Sequence, residues 1–277
     1  MLEALMQTDA KRAALIVAGM LWMPAGALVA QGDPDHEWCR GDRRGSRDGE
    51  RYCEVRTFEL PADRGAVRVN AGTNGGISVE GWDRDDIRVL AKVQVWSRRD
   101  DPEELAGAVT IRTDGTIRAE GPERRRSRRD GVAVSFRLMV PRRSDLDLET
   151  LNGGINVFAV HGDIEFRAVN GGISLNEVGG DLRGRTTNGG VHIELEGDRW
   201  DGAGLDVETT NGGITLGVPE DFHADLTTGT VNGGLDIDFP VTIQGRINRR
   251  RITTKLNGGG PPVRVVTVNG GVTIRRH

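Results

Sequence analysis

Leu146-Asp147-Leu148-Glu149-Thr150-Leu151-Asn152-Gly153-Gly154-Ile155-Asn156-Val157 is the stretch on which the reading of the fold turns. Side chains two apart share one face of a strand, so Leu146 and Leu148 fall on one side and Asp147 and Glu149 on the other. Ile155 and Val157 repeat that alternation after Asn152-Gly153-Gly154, with Asn156 outward. Asn tolerates a left-handed backbone and Gly adopts it freely, so the triplet is expected to form a sharp corner between two half-buried strands. Asn-Gly-Gly occurs eight times, beginning at Asn74, Asn152, Asn170, Asn188, Asn211, Asn232, Asn257 and Asn269. In seven copies an aliphatic residue follows directly and another comes two residues later. The Asn257 copy departs, because Gly260-Pro261-Pro262 replaces the strand start, and a loop or distorted coil is expected there.

A single Asn-Gly turn between alternating runs would read as a β-hairpin. A similar corner recurring over half the chain reads instead as a solenoid unit. A second corner is expected at His161-Gly162-Asp163, Gly179-Gly180-Asp181 and Glu196-Gly197-Asp198. The predicted fold is all-β: a single-stranded parallel β-helix, or β-solenoid, with an N-terminal β-rich cap and one short helix. Successive coils would lie about 4.8 Å apart. Asn152, Asn170, Asn188, Asn211, Asn232, Asn257 and Asn269 are then expected to stack as a buried structural ladder, each amide bonding the next.

Composition agrees with a thin core. Apolar residues make up 36% and aromatic residues 4% of the 277 residues, with 40 glycines. The net charge of −4 is too mild to indicate nucleic-acid binding. Lys11 and Arg12 followed by the apolar run 13–30 read as an export signal, cleaved before Gln31, with an uncleaved anchor as the alternative. The expected organisation is a signal peptide at 1–30, a polar disulfide-looped segment at 31–56, a first coil and capping region at 57–145, and Asn-Gly-Gly repeats at 146–277. The protein would be periplasmic or secreted, with no transmembrane span after cleavage. Cys39 and Cys53 are the only cysteines, and in an oxidising compartment they would close a polar loop worth about 3 kcal/mol. Within the capping region a short helix is expected near 102–108, started by the Asp101 cap and Pro102. Strands are expected at 109–112, 116–119 and 132–140.

Phe136-Arg137-Leu138-Met139-Val140-Pro141, leading into Asp145–Thr150 and then the Asn-Gly-Gly-Ile coils, resembles a bacterial adhesin-like family of β-strand repeats built on a domain of unknown function. The resemblance covers about 57–277. It implies a solenoid in the cell envelope and carries over no catalytic residues.

Chemistry is sparse. No Gly-x-Ser-x-Gly elbow, His-Glu-x-x-His pair or phosphate loop occurs, and the five histidines lack ligand spacing. Gly179-Gly180-Asp181 lacks the nine-residue period of calcium-binding repeats, so no cofactor or metal is expected. A polysaccharide lyase or hydrolase on a parallel β-helix is the enzymatic alternative. It would draw on Asp147, Glu149, Glu165, Arg167, Arg183, Glu208 and Asp225, which all fall on predicted outward positions, although a solvated face accounts for them equally. Arg124, Arg125, Arg126, Arg128 and Arg129 form a candidate anion-binding loop or a solvated hairpin tip. Trp82, Trp96 and Trp200 are assigned to edge packing. The expectation is a non-catalytic envelope protein that binds an envelope polysaccharide or a protein partner.

Overall fold

The structure is a computed structural model that describes residues 37–39, 50–62, 65–121, 131–238 and 251–277. The export signal and the Arg124–Arg129 loop lie outside the described residues. Twenty strands and one helix follow in chain order: β1 Glu50–Pro61, β2 Val67–Asn70, β3 Ile77–Trp82, β4 Asp86–Ser97, α1 Pro102–Gly107, β5 Thr110–Arg112, β6 Thr116–Glu120 and β7 Gly131–Pro141. The repeat region comprises β8 Leu146–Asn152, β9 Ile155–Phe158, β10 His161–Asn170, β11 Ile173–Asn176, β12 Gly179–Asn188 and β13 Val191–Glu194. It continues through β14 Gly204–Asn211, β15 Ile214–Val218, β16 Ala224–Asn232, β17 Leu235–Ile237, β18 Ile252–Leu256, β19 Pro262–Asn269 and β20 Val272–Arg276.

The strands form two mixed sheets of ten. One runs β1-β4-β7-β3-β9-β11-β13-β15-β20-β17 and the other β18-β16-β19-β14-β12-β10-β8-β2-β6-β5. From β8 onward the chain crosses from the second sheet to the first at each Asn-Gly-Gly corner. Like positions therefore stack in parallel register: Asn152 on Asn170, Asn188 on Asn170, and Ile155 on Ile173.

The stacking order departs from chain order at the end. β19 lies between β14 and β16, and β20 between β15 and β17. The pair β16–β17 thus leaves a slot one strand wide. The chain returns through β18, antiparallel on the outer edge of β16, before β19 and β20 fill the slot. Sequential stacking of Asn232 on Asn211 is corrected accordingly, with Asn269 between them.

Aliphatic side chains from both sheets fill the interior, in keeping with the period-2 pattern. In the row Leu148, Phe166, Gly184, Val207, Val265 the small residue serves the large one. A Cβ on Gly184 would lie 1.8 Å from the Phe166 ring.

The glycine reasoning from sequence needs a correction. None of the repeat glycines outside the Asn257 copy has positive φ. Their first glycines are required by close approach instead. A Cβ on Gly171 would lie 1.8 Å from the Gly153 carbonyl oxygen, and one on Gly189 would lie 1.9 Å from that of Gly171. Left-handed backbone appears in the divergent copy, at Asn257, Gly258 and Gly259. It also appears at Ala159 and Glu177, which precede β10 and β12. In the first two units the second corner therefore comes earlier than expected, and Gly162 and Gly180 lie inside strands, paired with each other, with Gly180 itself at positive φ. In the third unit the corner falls at Gly197, also at positive φ, as expected.

The N-terminal part caps the stack with antiparallel strands β1, β4 and β7. Helix α1 starts as its sequence requires, with the Asp101 side chain accepting from the Glu103 N–H at 2.9 Å. Cys39 and Cys53 are disulfide-bonded, with Cα atoms 5.8 Å apart. The bond pins a 3-10 turn, Glu37–Cys39, over Val55, Leu90 and Met139 on the outer face of the first sheet. Trp38 there lies against Arg137 and Lys92, with their cationic groups 4.6 and 5.6 Å from its ring centre.

Candidate functional site

Three surfaces are built by the stacking. The first is the Asn-Gly-Gly edge. Asn170 Nδ2 donates to Asn152 Oδ1 at 2.7 Å, and the chain of amides continues through Asn188, Asn211, Asn269 and Asn232 at 2.8 Å per step. Asn152 reaches Asn74 at 3.3 Å and also the Thr73 carbonyl at 2.7 Å. Two expectations about the ladder are corrected. Asn257 stands outside it, because its left-handed turn points its amide at the Glu220 and Phe222 carbonyls. The rungs Asn152 through Asn269 are exposed rather than buried, since the corner turns them away from the core.

The buried polar ladder is made by threonines two residues before the asparagines. Thr150, Thr186, Thr209, Thr230 and Thr267 are buried, and each hydroxyl donates to the carbonyl of a glycine in the adjacent repeat at 2.6–3.1 Å. Sequence reasoning passed over this row. Its signal is the recurrence of Thr-x-Asn-Gly-Gly in five of the eight copies, with Gly72, Ala168 and Lys255 at that position in the others.

The second surface is the outer face of the second sheet, where six of the seven residues considered for catalysis meet. Asp147, Glu165, Arg183 and Asp206 stand side by side, as do Glu149, Arg167, Arg185 and Glu208. They neutralise one another. Arg167 bonds Glu165 and lies 4.0 Å from Asp147, Arg185 lies 3.4 Å from Glu208, and Arg264 bonds both Asp206 and Glu208. Partial burial lowers the Arg264 pKa, but the hydrogen bonds to Asp206 and Glu208 outweigh it and hold the guanidinium charged. Asp225 stands apart near the end of the stack, beside the Gly260 N–H at 3.4 Å.

The third surface is a groove of about 770 Å³ at the opposite corner, where the cap meets the repeats. Asp85, Arg143, Asp145, His161 and Asp201 line it together with Gly162, Gly180 and Gly202. The Asp145 carboxylate accepts the Asp163 N–H at 2.9 Å, and His161 lies 3.9 Å from Asp201. Among the described residues no group of three or more His, Cys, Asp or Glu is arranged to hold a metal. The three tryptophans share no such surface. Trp200 is buried with its Nε1–H on the Gly180 carbonyl, Trp82 lies under Arg84 and Arg88, and Trp96 packs on Gly131.

Fold and surfaces together define an all-β protein of two stacked mixed sheets, with long repetitive outer surfaces. No family model matches the chain, and no curated protein matches it. Among solved structures it is similar to a protein of Clostridium sporogenes provisionally described as a cell adhesion protein. The two share 10% identity over 82% of this chain and 100% of that one, with a TM-score of 0.50, a likeness of fold alone. Provisionally described adhesins from Bacteroides fragilis and Parabacteroides distasonis align over 82% and 79% of this chain and 97% and 98% of their own. Both are 11% identical, with TM-scores of 0.28 and 0.33.

Proposed function

We propose that the chain is an exported, non-catalytic protein of the cell envelope. Its parallel strand pairs wind as a β-solenoid and bind an envelope polymer or a protein partner in an adhesin-like manner. The solenoid reading is supported by strands that alternate between two sheets and by corners that stack in register. The Cys39–Cys53 bond supports an oxidising compartment. Among the described residues no helix is long and apolar enough to cross a membrane.

One observation carries the reading: the carboxylates that could serve a glycosidase lie on an open sheet face, most of them against arginines. A long repetitive face suits many weak contacts with an extended partner. The cell-adhesion description of the Clostridium sporogenes protein points the same way. The lyase or hydrolase reading would move to the corner groove, where Asp85, Asp145, Asp201 and His161 gather.

Purified protein is expected to sediment with isolated cell-envelope fractions. It is expected to release neither reducing sugar nor unsaturated uronate from a polysaccharide panel. Depolymerisation without sedimentation would establish the enzyme instead.

A further inference from the structure

We propose that the Asn-Gly-Gly edge is a contact surface for an uncharged, hydroxyl-rich polymer, an extended polysaccharide chain laid along the stack. The inference rests on the binding reading above and names its surface and ligand class.

The decisive row is the residue just before each asparagine. In spatial order it reads Thr73, Leu151, Val169, Thr187, Thr210, Val268 and Val231. All seven are exposed. Four of them, Leu151, Val169, Val268 and Val231, are 37–47% exposed and account for four of the five exposed large apolar side chains among the described residues. None packs into the core, so nothing structural selects them in the way close approach selects the glycines. Strand propensity favours β-branched residues at such positions. It operates equally at the other end of the same outer face, where the same strands and β2 carry Arg68, Asp147, Glu165, Arg183, Asp206 and Arg264. In a chain with 28% charged residues, this exposed row of seven carries none.

The hydrogen-bond inventory of the neighbouring row specifies the ligand. A side-chain amide has two N–H donors and a carbonyl oxygen with two lone pairs. Asn170, Asn188, Asn211 and Asn269 each spend one donor and one lone pair on the ladder. Each rung is left with one donor and one acceptor toward solvent, repeated about every 4.8 Å. A hydroxyl both accepts and donates, and so can satisfy each step through a single atom. The methyl-bearing row beside it suits the C–H faces of sugar rings. The row itself carries no charge, and the nearest arginines, Arg167 and Arg185, already face Glu165 and Glu208.

The test uses the full chain and depletion from solution by insoluble uncharged polysaccharides (cellulose, chitin and a β-1,3-glucan), with polygalacturonate beads as the anionic probe. Depletion by at least one uncharged probe, unchanged in 0.5 M salt, is expected. Val169→Lys/Thr187→Lys should weaken it at least about tenfold, because lysines there must be desolvated without a partner. Val268→Lys/Val231→Lys should act alike, and Arg183→Ala on the sheet face should have no effect. Melting temperatures of all variants should stay near that of the parent. Binding that survives both lysine pairs overturns the proposal, as does binding to the anionic probe alone. A dimer broken by the lysines without any polysaccharide binding would assign the edge to a second copy of this chain. Retention on envelope fractions with no uncharged probe bound would remove this inference and leave the binding reading standing. Loss of both would remove both.

Discussion

Two residue types in Thr-x-Asn-Gly-Gly divide the labour of holding one repeat to the next. The threonine hydroxyl is buried and is the donor to a glycine carbonyl of the adjacent repeat, as Thr186 is to Gly171 at 3.1 Å. The asparagine is exposed, so water can replace its ladder partners. A buried acceptor left without its donor costs about 1–3 kcal/mol, whereas an exposed hydrogen bond exchanged for water costs far less. Thr186→Val is therefore expected to destabilise the protein by about 1–3 kcal/mol. Asn188→Ala should cost less than about 1 kcal/mol. Urea denaturation of the two variants measures both, and the reverse order would show that the amide ladder, not the threonine row, carries the coil contact.

At the scale of the element, the corner works through backbone proximity. Glycine is needed at Gly171 because the Gly153 carbonyl sits where a methyl group would go, at 1.8 Å. Gly234, at the end of the stack, has no atom within 4 Å of the same point. Overpacking a rigid site costs about 1–3 kcal/mol or more. Gly171→Ala should thus lower stability by about 3 kcal/mol or more, and Gly234→Ala should leave it nearly unchanged. Thermal melts of the pair check this, and a tolerated Gly171→Ala would refute the close-approach explanation. The strands flanking these corners were legible because period-2 alternation is a local property. Helix α1 was legible from Asp101 and Pro102 for the same reason. The cause of the glycines was not, because Gly153 meets Gly171 only once successive repeats pair in the sheets. The second corner was misplaced in the first two units because glycine drew attention to Gly162 and Gly180, whereas the chain turns earlier, at Ala159 and Glu177. In the third unit Gly197 marks it where the sequence placed it.

Across the whole molecule, the insertion of β19 and β20 between earlier strands makes the Asn-Gly-Gly edge continuous from Asn74 to Asn232. Repeat spacing cannot reveal that exchange, because every coil offers the same register to every other. Only the irregular stretch after Ile237, with Asn257 and the two prolines at 261–262, marks the place where the chain turns back. The neutral edge depends on it, since Val268 closes the row between Thr210 and Val231. Short-span cysteine crosslinking tests this arrangement most directly. With the native disulfide intact, Thr210→Cys/Val268→Cys is expected to crosslink rapidly within one chain, while Thr210→Cys/Val231→Cys, one coil further apart, should not. Efficient crosslinking of the second pair but not the first would mean that the coils follow chain order, and would contradict the architecture on which the edge is built.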